Sequence, residues 1–320
     1  MLSLNNNSFE ITRRMEEDAE SLNIAVEKLP CGATVIDAGI DVAGSYEAGK
    51  LFSEVCMGGL GKVSFGKMDF DELSIPTVHV TVSQPVRACM TAQYAGWFVK
   101  VELENKKSYQ AMGSGPARSL YGKEPLLQEL NIVEESDVAV LTLESHKKPT
   151  DEVAIWVASK CSVSPEKVVL LVAPTASLVG SIQIAARVVE TGLHKMHEVG
   201  FDISCIQAAS GVCPIAPIAS DNMKAIGWTN DTVLYGGQTW YSAKAEPKAI
   251  EKIIDNLPSM SSADYGTPFD EIFKRYNHDF YKIDPLLFSP AEVSINEITS
   301  GRTFHAGAVN SDIFRKSFFS

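Results

Sequence analysis

The segment from Val168 to Leu193, VVLLVAPTASLVGSIQIAARVVETGL, runs for 26 residues and carries two charges, Arg187 and Glu190. Its opening run is continuously apolar and predicts a buried strand. Pro174, Thr175 and Ser177 then mark a loop. Beyond it, Ile182, Ala185, Ala186, Val189, Leu193 and Met196 recur at helical spacing. That spacing predicts one helix from Ser181, ending at Gly200 as a C-cap. On the same wheel Gln183, Arg187, Glu190 and His194 form a narrow polar strip, flanked by Ile184 and Val188.

The pattern elsewhere alternates between strands and helices. An N-terminal tail leads into a helix over 8–23, capped by Ser8. TVIDAGID predicts a short strand and turn. GSYEAGKLFSEVCMGGLGKVSFG holds six glycines across a helical and then an extended pattern. TVHVTVS alternates as a strand, with His79 facing opposite Val78 and Val80. A helix through Cys89 and Ala92 and a strand at WFVKVEL follow. AMGSGPARSL is the sharpest turn signal of the first half. DVAVLTLES predicts a buried strand, TDEVAIWVASKC an amphipathic helix N-capped by Thr150, and VSPEKVVLLVAP a turn and a buried strand. NDTVLYGGQTWYSA reads as strand, Gly-Gly turn and strand. After Pro247 the pattern gives a helix at KAIEKIIDNL, a segment around FDEIFKRY, and a tail. The order predicts an α/β chain of mixed α+β layers.

With 320 residues, two domains are expected. The division is set at 1–125 and 126–320, with room for the domains to exchange segments. The chain is 45% hydrophobic and 21% charged, the balance of a folded globular protein. No apolar run reaches the roughly 18 residues of a membrane span, and no signal peptide is legible at the N-terminus. The net charge of −12 argues against nucleic acid as a partner. It fits a soluble surface, or steering of a cationic substrate. Six scattered cysteines without a CxxC predict free thiols in a reducing, cytoplasmic compartment.

Metal and cofactor motifs are missing. His194 and His197 are three apart, but no HExxH surrounds them, and a helix end accounts for them equally well. GSGPAR and GGLGKVS both fail the P-loop pattern, though their backbone N–H groups could meet an anion. Ser114 lies in a mobile turn with no assignable base, and no GxSxG elbow occurs. Arg187 and Glu190 remain. Three apart on a helix, they share a face. They form either a solvated intrahelical ion pair, worth little, or a water-activating pair in a partly dry cleft.

Several segments in one order carry a more specific signal. EVCMGGLG, AMGSGPAR, DVAVLTLE, VAPTASLVGS, ARVVETGLHKM, PIAPI and NDTVLYGG together resemble the methenyltetrahydromethanopterin cyclohydrolase family, the pterin one-carbon enzymes of methanogenic and related archaea and some methylotrophic bacteria. The resemblance runs the length of the chain. Two stretches depart from it: ELENKKSYQ beside Lys100 is more polar than the family pattern, and the residues after Pro247 match few of its features.

The resemblance implies a two-domain α/β subunit with a pocket between the domains, assembled as a homotrimer. It implies reversible hydrolysis of the methenyl bridge of a tetrahydromethanopterin derivative to the N5-formyl form, with no metal or prosthetic group. The family's catalytic arginine and glutamate carry over to Arg187 and Glu190, and a first-domain lysine to Lys100. Glu190 would deprotonate water and return the proton to N10, while Arg187 keeps it ionised. Gln183 would help place the water. Ser114 and Gly115 of GSGPAR, and Tyr235 and Gly236 of LYGG, would line the pocket, and Arg118 would meet the acidic substrate tail. The rivals are a formyltransferase acting on the same carrier and a non-catalytic pterin-binding protein.

Overall fold

A computed structural model describes residues 3–318, apart from 71–72, 105, 133 and 280–281. The chain forms two compact units, one from 1–61 and 87–183, the other from 62–86 and 184–320. The fold is mixed α/β, with one mixed six-stranded sheet in each unit.

The first sheet runs in the order β1 (Ala25–Lys28), β2 (Thr34–Asp37), β8 (Val168–Ala173), β7 (Ala139–Glu144), β6 (Ser108–Ser114), β5 (Trp97–Glu102). Its centre, β2-β8-β7, is parallel. These strands are buried along almost their whole length, as parallel strands covered on both faces must be. Helices Leu4–Glu17 and Tyr46–Cys56 cover one face, setting Ile11, Met15, Phe52 and Val55 against Ile36, Val169 and Leu171. Helix Asp151–Cys161 covers the other, setting Val153 and Val157 against Val35, Leu141 and Leu170. Edge strand β5 alternates: Trp97, Val99 and Val101 point into the core, and Phe98, Lys100 and Glu102 point out. The division expected at 125/126 falls between β6 and β7, which pair with one another in this sheet.

The second sheet runs β12 (Thr303–Gly307), β11 (Glu292–Glu297), β10 (Gln238–Ala243), β9 (Ile206–Pro214), β4 (Leu73–Val82), β3 (Gly61–Phe70). β10 and β11 pair in parallel, while β12–β11, β10–β9 and β9–β4 are antiparallel. Helices Asn222–Gly236, Phe269–Arg275 and Ser311–Phe318 share an aromatic core of Tyr235, Phe269, Phe273 and Phe314.

Four expectations are corrected. The first helix is capped by Ser3, whose side chain accepts from Asn6 N–H, and it starts at Leu4. Ser8 instead lies buried and donates to the Val55 carbonyl at 3.0 Å. The helix expected over 181–200 is two helices, Leu178–Ala185 and Val188–Glu198. NDTVLYG closes helix Asn222–Gly236 rather than forming a strand, because Asp221 caps the helix by accepting from Lys224 N–H at 2.9 Å. The tail expected beyond FDEIFKRY supplies β11, β12 and a final helix, where the pattern gave no element. Among the described residues no helix is long and apolar enough to cross a membrane.

Candidate active site

Arg187 stands at the break between the two helices. Its N–H reaches the Ile184 carbonyl at 3.0 Å, a three-residue closure that tightens the end of the first helix. Its own carbonyl accepts from Thr191 N–H at 2.8 Å and starts the second. Arg187 is thus the N-cap residue of Val188–Glu198, and Glu190 lies in its first turn. A carboxylate there faces the positive end of the helix dipole. Arg187 Nη1 lies 3.6 Å from Glu190 Oε2, and the two side chains are only 12% and 6% exposed. The solvated-face reading needs exposed groups and does not fit this burial. The ion pair is retained in low-dielectric surroundings, where its charges act strongly on neighbours.

The turn that carries the pair is held tightly from below. A Cβ on Gly211 of β9 would come within 2.7 Å of Val188 Cγ1, and one on Gly237 within 2.9 Å of Val188 Cγ2. Glycine at both places lets the helix start settle onto the sheet. Tyr241 of β10 donates to the Val189 carbonyl at 2.9 Å, and its hydroxyl fills the space over Gly192. One turn further on, Lys195 is buried and donates to Ser261 Oγ at 3.2 Å and to the Leu286 carbonyl. Burial lowers its pKa to about 8.

The other residues singled out in the sequence fall into distinct settings. Gln183 is buried in the helix before the break, so it does not share one continuous wheel with Arg187 and Glu190. Lys100 projects from the outer face of β5, opposite Gln110, next to the exposed pair Phe98 and Met112. Ser114 ends β6 inside the first unit, and Gly115 follows it in the turn. Ser114 Oγ lies 2.8 Å from Thr142 Oγ1, and Gly115 takes φ +99, a turn conformation suited to glycine.

Two residues expected as ligand contacts, Arg118 and Tyr235, are buried. Arg118 is fully buried, and its guanidinium is committed to the protein. It forks onto the Glu124 carboxylate and donates to the carbonyls of Met90, Thr91 and Ala92 at 3.1, 3.1 and 3.2 Å. It ties down the π-helical turn Val86–Gln93, whose displaced carbonyls need a donor. Tyr235 is likewise fully buried and donates to the Thr267 carbonyl at 2.6 Å. Gly236 packs against Phe314 and Pro214. The LYGG segment also supports the Arg187–Glu190 turn, through Gly237 and Val188.

The family profile described as Cyclohydrolase (MCH) matches residues 3–318. The chain belongs to this cyclohydrolase family. It is 49% identical to the methenyltetrahydromethanopterin cyclohydrolase of Methanocaldococcus jannaschii, over 99% of this chain and 98% of the relative. It is 46% identical to the protein of the same name from Methanothermobacter marburgensis, over 99% of each chain. It is 41% identical to that of Methanococcoides burtonii, over 99% of this chain and 98% of the relative. Membership of this cyclohydrolase family makes the chain a hydrolase.

Sequence reasoning missed the residues that position the pair. Tyr241, Gly211 and Gly192 were not singled out. Glycine inside a strand or a helix was the available signal, since it marks close approach of another element.

Proposed function

We propose that this protein catalyses the reversible hydrolysis of 5,10-methenyl-tetrahydromethanopterin to N5-formyl-tetrahydromethanopterin. The observation that carries the reading is the Arg187–Glu190 pair, nearly buried and fixed at the head of a helix. The names of the relatives, matched end to end, supply the substrate.

The methenyl carbon lies in an amidinium cation and is already electrophilic, so water is the only co-substrate the reaction requires. Glu190 takes a proton as water attacks that carbon. The tetrahedral adduct then opens by cleavage of its bond to N10, N10 receives the proton from Glu190, and the adduct's hydroxyl proton leaves to solvent as the formyl C=O forms. The formyl group stays on N5. Arg187 orients the Glu190 carboxylate and favours its ionised form. Lys100, exposed on its strand, is a third candidate on the resemblance alone. No metal or prosthetic group takes part in this scheme. We further propose a homotrimer working in the cytoplasm. The free thiols of all six cysteines fit a reducing compartment, and light scattering at three times the chain mass would support the trimer.

The test follows the near-ultraviolet absorbance of the methenyl cation with water as the only co-substrate. Wild type should bleach it. Glu190→Gln should fold normally and lose about 10²-fold or more in rate. Wild-type activity in that variant would end the mechanism. Absence of turnover by wild type, with tight binding, would favour a carrier-binding protein instead.

A further inference from the structure

The second unit contains a cavity that the proposed chemistry does not use. It opens between helices Asn222–Gly236, Phe269–Arg275 and Ser311–Phe318 and holds about 410 Å³, within the roughly 300–1,000 Å³ of small-ligand sites. Gly227 shapes it. A Cβ there would come within 2.8 Å of the Asp270 Cβ, so glycine lets the start of one helix settle against the other. The far end of helix Asn222–Gly236 leads to Gly237, which packs on Val188 beside the Arg187–Glu190 turn. The cavity and that turn lie at opposite ends of one helix.

Three kinds of group line the cavity. The first is an aromatic wall. Trp228, half-buried, meets Phe318 edge-on at 5.6 Å, and the Lys224 ammonium lies 4.6 Å from the centre of its ring. Lys224 is exposed and sits on a flexible stem, so a stronger partner can draw it off and leave the indole face free. The second is spare positive charge. Lys274 is held by Asp270 at 2.8 Å, whereas Lys224 and Lys316 are in no ion pair among the described residues. The third is one spare carboxylate. Of the three acids lining the cavity, Asp221 caps its helix by accepting from Lys224 N–H at 2.9 Å, and Asp270 holds Lys274. Glu271 is exposed and committed to neither. Two spare lysines to one glutamate is the reverse of the balance of the whole chain, whose net charge is −12.

We propose that this cavity binds a nucleoside monophosphate. The base stacks on the indole of Trp228, as bases do on aromatic side chains. Lys224, drawn off the ring, and Lys316 take the phosphate dianion through charge-assisted hydrogen bonds. Glu271 accepts from the ribose hydroxyls, the part a carboxylate plays in dinucleotide sites. An inorganic anion would leave the indole and Glu271 unused, and a neutral ring would leave the lysines unused. A nucleotide engages all three. The site is separate from the hydrolysis proposed above and stands or falls without it.

The test titrates the protein with AMP, GMP, CMP and UMP by calorimetry, with tryptophan fluorescence followed in parallel. At least one should bind at micromolar to millimolar concentration and change the fluorescence. The same nucleoside without its phosphate, and ribose 5-phosphate without a base, should each bind at least about tenfold more weakly. Trp228→Leu should abolish the fluorescence change and weaken binding about tenfold. Lys316→Gln should weaken it by a similar factor, and Glu271→Gln should erase the preference for the nucleotide over its dideoxy analogue. Thermal melting without nucleotide checks that the variants fold. Lys316 and Glu271 are exposed, so their variants carry the test if Trp228→Leu does not fold. No binding of any of the four nucleotides at millimolar concentration overturns the proposal. Equal affinity for ribose 5-phosphate overturns it too, by marking a bare anion site. So does undiminished nucleotide affinity in Lys316→Gln and Trp228→Leu, which would put the nucleotide elsewhere.

Discussion

Tyr241 and Gly192 interlock: the phenol hydroxyl lies only 2.1 Å from where a Cβ on Gly192 would fall, and it donates to the Val189 carbonyl at 2.9 Å. A side chain at 192 must push the tyrosine off its acceptor or lift the helix from the sheet. Gly192→Ala should therefore destabilise the protein by about 1–3 kcal/mol, in spite of the better helix propensity of alanine. Tyr241→Phe keeps the ring and loses one bond, for about 1 kcal/mol. Urea unfolding measures both. An alanine variant as stable as wild type would show that the contact is slack. Because the same turn carries Glu190, kcat should fall in Gly192→Ala even at temperatures where it remains folded.

Arg187 combines two roles that lysine cannot both fill. As N-cap residue its backbone is replaceable, but its guanidinium reaches Glu190 from three residues back with 12% of the side chain exposed. Lysine keeps the charge as a compact, strongly hydrated ammonium and loses the planar fork. Arg187→Lys should keep stability within about 1 kcal/mol of wild type. It should lower kcat by about tenfold or more, with Arg187→Ala lower still. Steady-state kinetics beside thermal melting separate these effects. A lysine variant with unchanged kcat would remove Arg187 from the chemistry.

Arg118 and Glu124 form the most deeply buried ion pair among the described residues of the first unit, with side chains 0% and 8% exposed. Removing the arginine leaves a buried carboxylate and three backbone carbonyls without their donor. Arg118→Met should cost about 3–5 kcal/mol. The double variant with Glu124→Gln should recover part of that loss, because the stranded charge is gone. Chemical denaturation of both decides it. If Arg118 instead met the substrate, Arg118→Met would raise KM with little change in stability.

The sequence made the parallel centre of the first sheet legible because β2, β7 and β8 are short apolar runs bounded by turns. The Arg187–Glu190 pair stood out for the same reason, as two charges in an apolar stretch. The helix break between them was hidden, since Ala185 to Val188 contains no glycine or proline and the break is imposed by packing on Gly211 and Gly237. TVLY read as a strand because β-branched and aromatic residues favour strands locally, while the Asp221 cap, well upstream, decides for helix. The partners of Arg118 were hidden because a lone arginine after a glycine turn gives no sign of the carbonyls waiting for it. Those carbonyls come from a π-helical turn that has no legible signature in this sequence.

Asp231 makes the stability of the second unit depend on pH. It is buried in helix Asn222–Gly236 and accepts from Phe269 N–H at 2.8 Å and from the Ser317 hydroxyl. Burial raises its pKa from the ordinary 3.8 to about 7, and nearby Asp270 and Glu271 push the same way. Between those values the folded protein holds a proton that the unfolded chain releases. Stability from this group is therefore present below the unfolded value and is lost as pH rises through the folded one. Each tenfold difference in proton affinity between the folded and unfolded chain is worth about 1.4 kcal/mol, so the loss amounts to a few kcal/mol. Asp231→Asn keeps an acceptor for Phe269 and removes the titration; the Ser317 hydroxyl can turn to accept from the new amide. Urea unfolding of wild type and variant from about pH 4 to pH 8 should give curves that diverge, the variant gaining on wild type as pH rises through the window between the two pKa values. Above the folded value its lead should hold. Parallel curves would mean that Asp231 is ionised in the folded protein throughout.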